Sequence, residues 1–220
     1  MSLRTSLVAA VAMAFVAMAA GAEDEAPSVD MANGKELYEL CAQCHGAEGQ
    51  GNRVFLAPAI AGFDQWYVEM QLASFRTGNR GLHFDDISGM RMRPMSMTLR
   101  TDADVKDVSA YVASLPKVQP ARTVEGNVET GKALYTLCAA CHGPNGDGIE
   151  PMRAPALNHV DDWYLVHQLE KFKAGVRGTR PGDPYGVLMG PNSPMALTLK
   201  TDQSVRDVVA YIMTLESAKK

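Results

Sequence analysis

The clearest hydrophobic pattern in the chain belongs to two segments that each follow a Thr-Asp pair. Apolar residues recur there every three or four positions, which places them on one face of a helix. They are Val105, Val108, Val112 and Leu115 in one segment and Val205, Val208, Ile212 and Leu215 in the other. Thr101 and Thr201 stand at the expected N-caps, and the acids after them favour the helix dipole.

Similar but weaker spacing predicts helices over 34–44 and 66–76, and again over 131–141 and 163–174. Gly- and Pro-rich stretches separate the predicted helices. We expect these stretches to be long loops, which are uncommon in small domains unless they wrap something. They are residues 46–62, 78–96, 143–158 and 175–194. The expected fold class is all-α.

The chain contains two copies of one unit. Residues 34–51 match residues 131–148 at 12 of 18 positions when the copies are shifted by 97. The shift becomes 100 where Met95 pairs with Met195, so the second copy holds three additional residues before that methionine. Each copy is as long as a small domain and far longer than a solenoid unit.

This repeat predicts a domain at residues 23–115 and another at 124–220. Residues 116–123 would form the linker, whose two prolines favour an extended path.

The first 22 residues have the layout of a secretory signal peptide. Arg4 precedes an apolar run over 7–20, and Ala20-Gly21-Ala22 is a small-x-small cleavage signal. The run is shorter than the roughly 20 residues that span a bilayer. We expect cleavage after Ala22, giving an exported protein without a spanning segment.

The overall composition is that of an ordinary globular protein, with 46% hydrophobic residues, and it excludes wholesale disorder. Lys and Arg number 21 against 25 Asp and Glu, so the formal charge is -4. This balance argues against a nucleic-acid partner, which requires a concentrated basic face.

All four cysteines lie in two copies of the motif Cys-x-x-Cys-His. The motif residues are Cys41, Cys44 and His45 in the first copy and Cys138, Cys141 and His142 in the second. This pattern is typical of haem c attachment, because thiols one helical turn apart reach two vinyl groups while the histidine ligates iron.

Three other interpretations of the cysteines are weaker. A thioredoxin-like pair requires a βαβ setting, and a zinc site requires four ligands in one domain. Structural disulfides would leave both histidines without a role. The duplicated motif therefore predicts two covalently attached haem c groups.

Each repeat also offers a Pro-Met pair before its last helix, ending at Met95 and at Met195. A thioether opposite histidine favours ferrous iron and raises the reduction potential. Many methionines only fill cores, but the equivalence of the two pairs favours ligation. The alternatives are Met90, Met92, Met97 or a bis-histidine site with His83 in the first domain, and Met189 in the second. His159 and His167 are expected to be surface or packing residues.

The motifs, Pro-Met pairs and final helices resemble those of dihaem class I cytochromes c, most closely the cytochrome c4 family of two-domain bacterial electron carriers. The resemblance covers roughly residues 30–216. It implies two tandem class I cytochrome c domains, each wrapped around one covalent haem and related by a pseudo-twofold. The implied iron ligands are His45 with Met95 and His142 with Met195.

The resemblance implies two further roles. In such domains a proline carbonyl accepts the second N–H of the ligating imidazole, and Pro58 and Pro155 match that proline. Gly34 with Tyr111, and Gly131 with Tyr211, match the close crossing of the first and last helices.

The expected function is one-electron transfer, because no catalytic constellation stands beside the motifs and a methionine would fill the sixth iron position. We expect a periplasmic dihaem carrier. The resemblance implies a quinol-oxidising bc-type complex as donor and a haem-copper oxidase as acceptor. The alternatives are a dihaem enzyme, either a peroxidase or a thiosulfate-oxidising enzyme, and an electron-transfer subunit of a dehydrogenase complex.

Five arginines cluster in sequence around Met95: Arg76, Arg80, Arg91, Arg93 and Arg100. One hypothesis is a docking patch for an acidic partner. The other is a solvated loop in which Asp85 and Asp86 supply the counter-charges.

Overall fold

The computed structural model describes residues 28–216, and the predicted signal peptide at 1–22 lies outside them. The described chain is helical, and its only β pairing consists of two isolated bridges. The helices are α1 Met31–His45, α2 Gln65–Arg76, α3 Ile87–Ser96, α4 Asp102–Ser114, α5 Val128–His142, α6 Asp162–Lys173, α7 Pro184–Met189, α8 Pro194–Thr198 and α9 Asp202–Ile212. Short 3-10 turns occupy Arg53–Phe55 and Glu150–Met152. The all-α prediction is confirmed.

The expectation of continuous loops over 78–96 and 175–194 is wrong, because these stretches contain α3 and α7, and α8 begins at the last residue of the second stretch. Local caps start these helices. Asp86 accepts a hydrogen bond from Gly89 N, Asp183 accepts one from Gly186 N, and Ser193 accepts one from Ala196 N. The three additional residues of the second repeat lie between α7 and α8, so one helix in the first domain corresponds to two short ones in the second.

The first and last helices of each domain cross closely. A Cβ on Gly34 would overlap the carbonyl of Asp107 and lie 3.1 Å from the Cβ of Tyr111. Gly131 meets Asp207 and Tyr211 in the same way. Glycine is required at both crossings because any side chain would strike the backbone of the facing helix.

Each crossing carries an apolar core. Val105, Val108 and Val112 of α4 are buried, and the matching face of α9 is buried around Val205 and Val208. Thr101 and Thr201 form capping boxes at the starts of these helices, as their positions predict.

Residues 116–127 lie outside any helix and connect α4 to α5. The connection is fastened to the second half of the molecule, since the backbone N–H groups of Thr123 and Val124 both donate to Asp162. In each half, the equivalent tryptophan contacts an arginine of the other half. Arg53 lies 6.0 Å from the ring centroid of Trp163, and Arg153 lies 5.1 Å from that of Trp66.

Candidate functional site

The last turn of α1 carries the first motif. Cys41 is half-buried and Cys44 is exposed. The helix ends at His45, and Gly46 follows with a φ of 83°, a conformation that favours glycine. The chain then turns away from the motif.

The imidazole of His45 is buried and oriented by one backbone carbonyl. Its Nδ1 lies 2.8 Å from the oxygen of Pro58. A carbonyl only accepts hydrogen bonds, so Nδ1 must carry the ring proton, and Nε2 keeps its lone pair for a metal. Burial lowers the pKa of His45, while the Pro58 contact partly opposes this effect. The ring is therefore held in the neutral state that metal ligation requires.

The second motif repeats this geometry at the end of α5. Cys138 is half-buried and Cys141 is exposed. His142 Nδ1 lies 2.8 Å from the carbonyl oxygen of Pro155, and burial again lowers the pKa of the imidazole. Two ligand-ready histidines therefore stand in equivalent positions.

The methionines differ between the domains. Met195 is the second residue of α8, is only 6% exposed and lies in the apolar cluster against which Cys138 and Met189 pack. Met95 lies in the last turn of α3 and is 41% exposed. Met92 is half-buried, lies one helical turn before Met95 on the same face of α3, and corresponds to Met189 under the shift of 97. Met195 and Met189 therefore remain candidates in the second domain, as Met95 and Met92 do in the first.

Exposed apolar side chains recur at equivalent positions in the two repeats. Exposed apolar residues at equivalent positions of both repeats indicate that each domain binds an apolar group that covers them. The pairs are Leu40 with Leu137, Phe55 with Met152, Met90 with Val187, and Met97 with Leu197. A flat apolar macrocycle such as haem fits this requirement beside each motif.

Two buried arginines indicate that the group bound beside the motifs carries negative charge. Arg80 is 5% and Arg177 is 6% exposed, and each lies over the phenylalanine ring of its own domain. Neither forms an ion pair within residues 28–216, and the Nε atom of each lacks a hydrogen-bond partner. Buried cations require anions. The propionate carboxylates of haem would supply that charge, so the described residues fit the group.

These arginines were missed by sequence reasoning. Arg80 belongs to the five arginines of the docking hypothesis, and its burial removes it from any exposed patch. Arg76 pairs instead with Asp102 at 3.0 Å. The repeat did contain the missing signal, since Arg80 and Arg177 are equivalent under the shift of 97.

The remaining histidines take no part in the motifs. His159 is buried with its ring centroid 5.2 Å from that of Phe63, and His167 lies 5.6 Å from that of Trp163. His83 is stacked on Phe84 at 4.7 Å. Within residues 28–216, no helix is long and apolar enough to cross a membrane.

The family model for cytochrome c matches residues 31–116 and, separately, residues 128–216. The chain belongs to the cytochrome c family. Two cytochrome c domains, each with its own Cys-x-x-Cys-His motif, carry two covalently attached haem c groups.

Two curated relatives of this dihaem cytochrome match along most of their length. Cytochrome c4 of Thiocapsa roseopersicina is 31% identical over 80% of this chain and 87% of that protein. A protein named thiosulfate dehydrogenase electron acceptor, from Stutzerimonas stutzeri, is 28% identical over 81% of this chain and 84% of its own.

The crystal structure of reduced cytochrome c4 from Pseudomonas stutzeri matches the fold. Its TM-score is 0.66 at 24% identity, over 86% of this chain and 100% of that one. This cytochrome therefore has the tandem two-domain fold that the resemblance implied.

Proposed function

We propose that this cytochrome is a periplasmic one-electron carrier between a quinol-oxidising complex and a terminal oxidase or another acceptor. The observation that carries the proposal is the repeated histidine geometry. In both domains the imidazole donates Nδ1–H to a proline carbonyl at 2.8 Å and keeps Nε2 for iron. Haem iron, when bound, supplies reversible one-electron chemistry between its ferric and ferrous states.

Each residue of the motifs has a distinct role in this proposal. Cys41 and Cys44 would attach one haem and Cys138 and Cys141 the other, through thioether bonds. His45 and His142 would bind iron on one side, oriented by Pro58 and Pro155. Met95 and Met195 would bind it on the other, where a thioether favours the ferrous state. With both axial positions filled, electrons would pass through the haem edges without bond formation.

The partners follow from family likeness and remain part of the proposal. A carrier role agrees with the cytochrome c4 relatives. The relative named as an electron acceptor of thiosulfate dehydrogenase adds a dehydrogenase as a candidate donor. Export to the periplasm is supported by the predicted signal peptide over residues 1–22.

The first experiment is a potentiometric titration of the purified mature protein, followed in the visible haem bands. We expect two high-potential waves and a mass that corresponds to two haems per chain. A low-potential wave from either haem would contradict histidine–methionine ligation at that site and reopen the enzyme alternative. The double variant Cys138→Ser, Cys141→Ser should lose the haem of the second domain and keep that of the first.

The identity of the first-domain methionine needs a separate comparison. Met95→Leu and Met92→Leu exchange one thioether each for a side chain of similar volume. The variant that removes the ligand should lose the far-red charge-transfer band of one ferric haem and lower one midpoint potential. If Met92→Leu produces this effect and Met95→Leu does not, the assignment to Met95 is wrong.

A further inference from the structure

Lys171 reaches from α6 of the second domain into the first. Its Nζ lies 2.6 Å from Asp86 Oδ1 and 2.7 Å from Ser88 Oγ. The side chain of Asp86 is 1% and that of Lys171 15% exposed, so this is an ion pair shielded from water. Burial tends to raise the pKa of Asp86, but the hydrogen bond and charge of Lys171, and then the charge of Arg80, keep this pKa below its usual value.

Asp86 also fixes the start of α3. Its Oδ1 accepts a hydrogen bond from Gly89 N at 3.1 Å, and its Oδ2 accepts one from Gly81 N at 3.3 Å. One carboxylate therefore joins the cap of α3, the preceding loop and Lys171. Since α3 carries Met92 and Met95, the position of this helix decides where a thioether meets the first haem.

The other end of α6 contacts the histidine side of the same site. Asp161, the N-cap residue of α6, accepts a hydrogen bond from Ala59 N at 2.6 Å. Ala59 directly follows Pro58, whose carbonyl orients His45. A single helix of the second domain therefore holds both segments that frame the first haem site.

The first domain returns these contacts only in part, through an exposed hydrogen bond of 2.8 Å from Asn79 Nδ2 to Gly182 O, just before the cap of α7. The repeat equivalents of Asp161 and Lys171 are Asp64 and Ser74. Asp64 is exposed and its side chain makes no cap hydrogen bond. In the described part of the chain, Asp183, the equivalent of Asp86, caps α7 through Gly186 N but pairs with no cation.

We infer that α6 positions both axial-ligand segments of the first haem site from the neighbouring domain, through Asp161 and Lys171. The dependence is unequal: the first site receives a buried ion pair and the Asp161 contact from the second domain, whereas the second site receives the exposed Asn79 hydrogen bond in return. This inference rests on the proposed histidine–methionine ligation. Asp161 and Lys171 are positioning residues, because they act through Pro58 and α3.

The test compares Lys171→Met and Asp161→Ala with the unaltered dihaem protein. We expect Lys171→Met to weaken or remove the methionine charge-transfer band of one ferric haem, up to half of the total intensity, and to lower the midpoint potential of that haem only. Lys171→Arg should restore both properties. Met195→Leu identifies the signals of the second haem, which should stay unchanged.

Matched controls separate positioning from charge and from general stability. Lys173→Met removes the same charge from the same helix, and Asp64→Ala is the repeat equivalent of Asp161→Ala. Both should resemble the unaltered protein. If Lys171→Met folds poorly, Lys171→Gln keeps a hydrogen-bond donor without charge, and thermal unfolding is recorded for every variant.

The outcomes also separate this inference from the proposed function. If the unaltered protein lacks methionine ligation at the first haem, the proposed ligation and the inference both fail. If it shows two methionine-ligated haems and Lys171 and Asp161 variants change neither, only the inference is overturned. Equal changes at both haems would likewise overturn it.

Discussion

Arg80 and Arg177 meet the same two glutamines from opposite domains. The glutamines are Gln71 of the first domain and Gln168 of the second. Each arginine donates an Nη1–H hydrogen bond to the side-chain oxygen of the glutamine in its own domain. Its Nη2 lies 3.4 Å from the side-chain oxygen of the glutamine in the other domain. Burial, and then the nearby charge of Arg80, lower the pKa of Arg177 to about 10. Among the described residues these two positive charges are thus hydrogen-bonded between the domains by neutral glutamines, and the propionates of haem would supply the anions.

Replacing one of these arginines should lower a haem potential. Arg80→Gln removes a buried positive charge that disfavours ferric iron. We expect at least one midpoint potential to fall, on the order of tens of millivolts, in a spectroelectrochemical titration. Arg76→Gln is the control, because Arg76 is paired with Asp102 outside this cluster. Unchanged potentials in Arg80→Gln would contradict a role of this charge beside the haems.

A side chain at the helix crossing should destabilise the second domain. In Gly131→Ala the added methyl group strikes the backbone of α9 at Asp207, so α5 and α9 must separate. We expect a loss of about 1–3 kcal/mol in the free energy of unfolding, measured in denaturant. The adjacent and exposed Lys132 supplies the comparison, since Lys132→Ala should have little effect. Similar stabilities of the two variants would mean that the crossing tolerates a side chain.

Lowering the pH should reduce the free energy of unfolding, because His159 takes up a proton more readily in the unfolded chain. Burial, and then the charge of Lys117, lower the pKa of this imidazole from 6.5 to about 4. Between these values the unfolded chain binds a proton that the folded chain does not. The stability that His159 contributes is therefore complete above pH 6.5 and falls as the pH decreases towards 4, by on the order of 3 kcal/mol.

The measurement is thermal unfolding over this pH range. His159→Phe should flatten the dependence, and His83→Gln, which replaces a partly exposed histidine, serves as its control. If the slope is the same in His159→Phe and in the unaltered protein, His159 is not its source.

Local signals explain which elements were predictable. The valine face of α4, with Thr101 as its cap, depends on residues close in the chain and was read correctly. Helix α3 was read as part of a loop, because its start depends on the Asp86 cap and its sequence lacks an apolar stripe of helical period. The insertion that divides its counterpart into α7 and α8 was visible only as a change in repeat spacing.

The sequence by itself determined the two-domain repeat, the all-α fold and the duplicated haem motif, since covalent attachment requires cysteines and a histidine at a spacing that a single helical turn sets. Only the tertiary structure decided which charges are buried between the domains. Arg80 and Lys171 look like surface residues in the sequence. Arg80 contacts Gln168 and Lys171 contacts Asp86, each about 85 residues or more away in the chain. Such contacts depend on how the two domains pack, because residues this far apart in the chain approach each other only when the domains dock, and no local pattern encodes that docking.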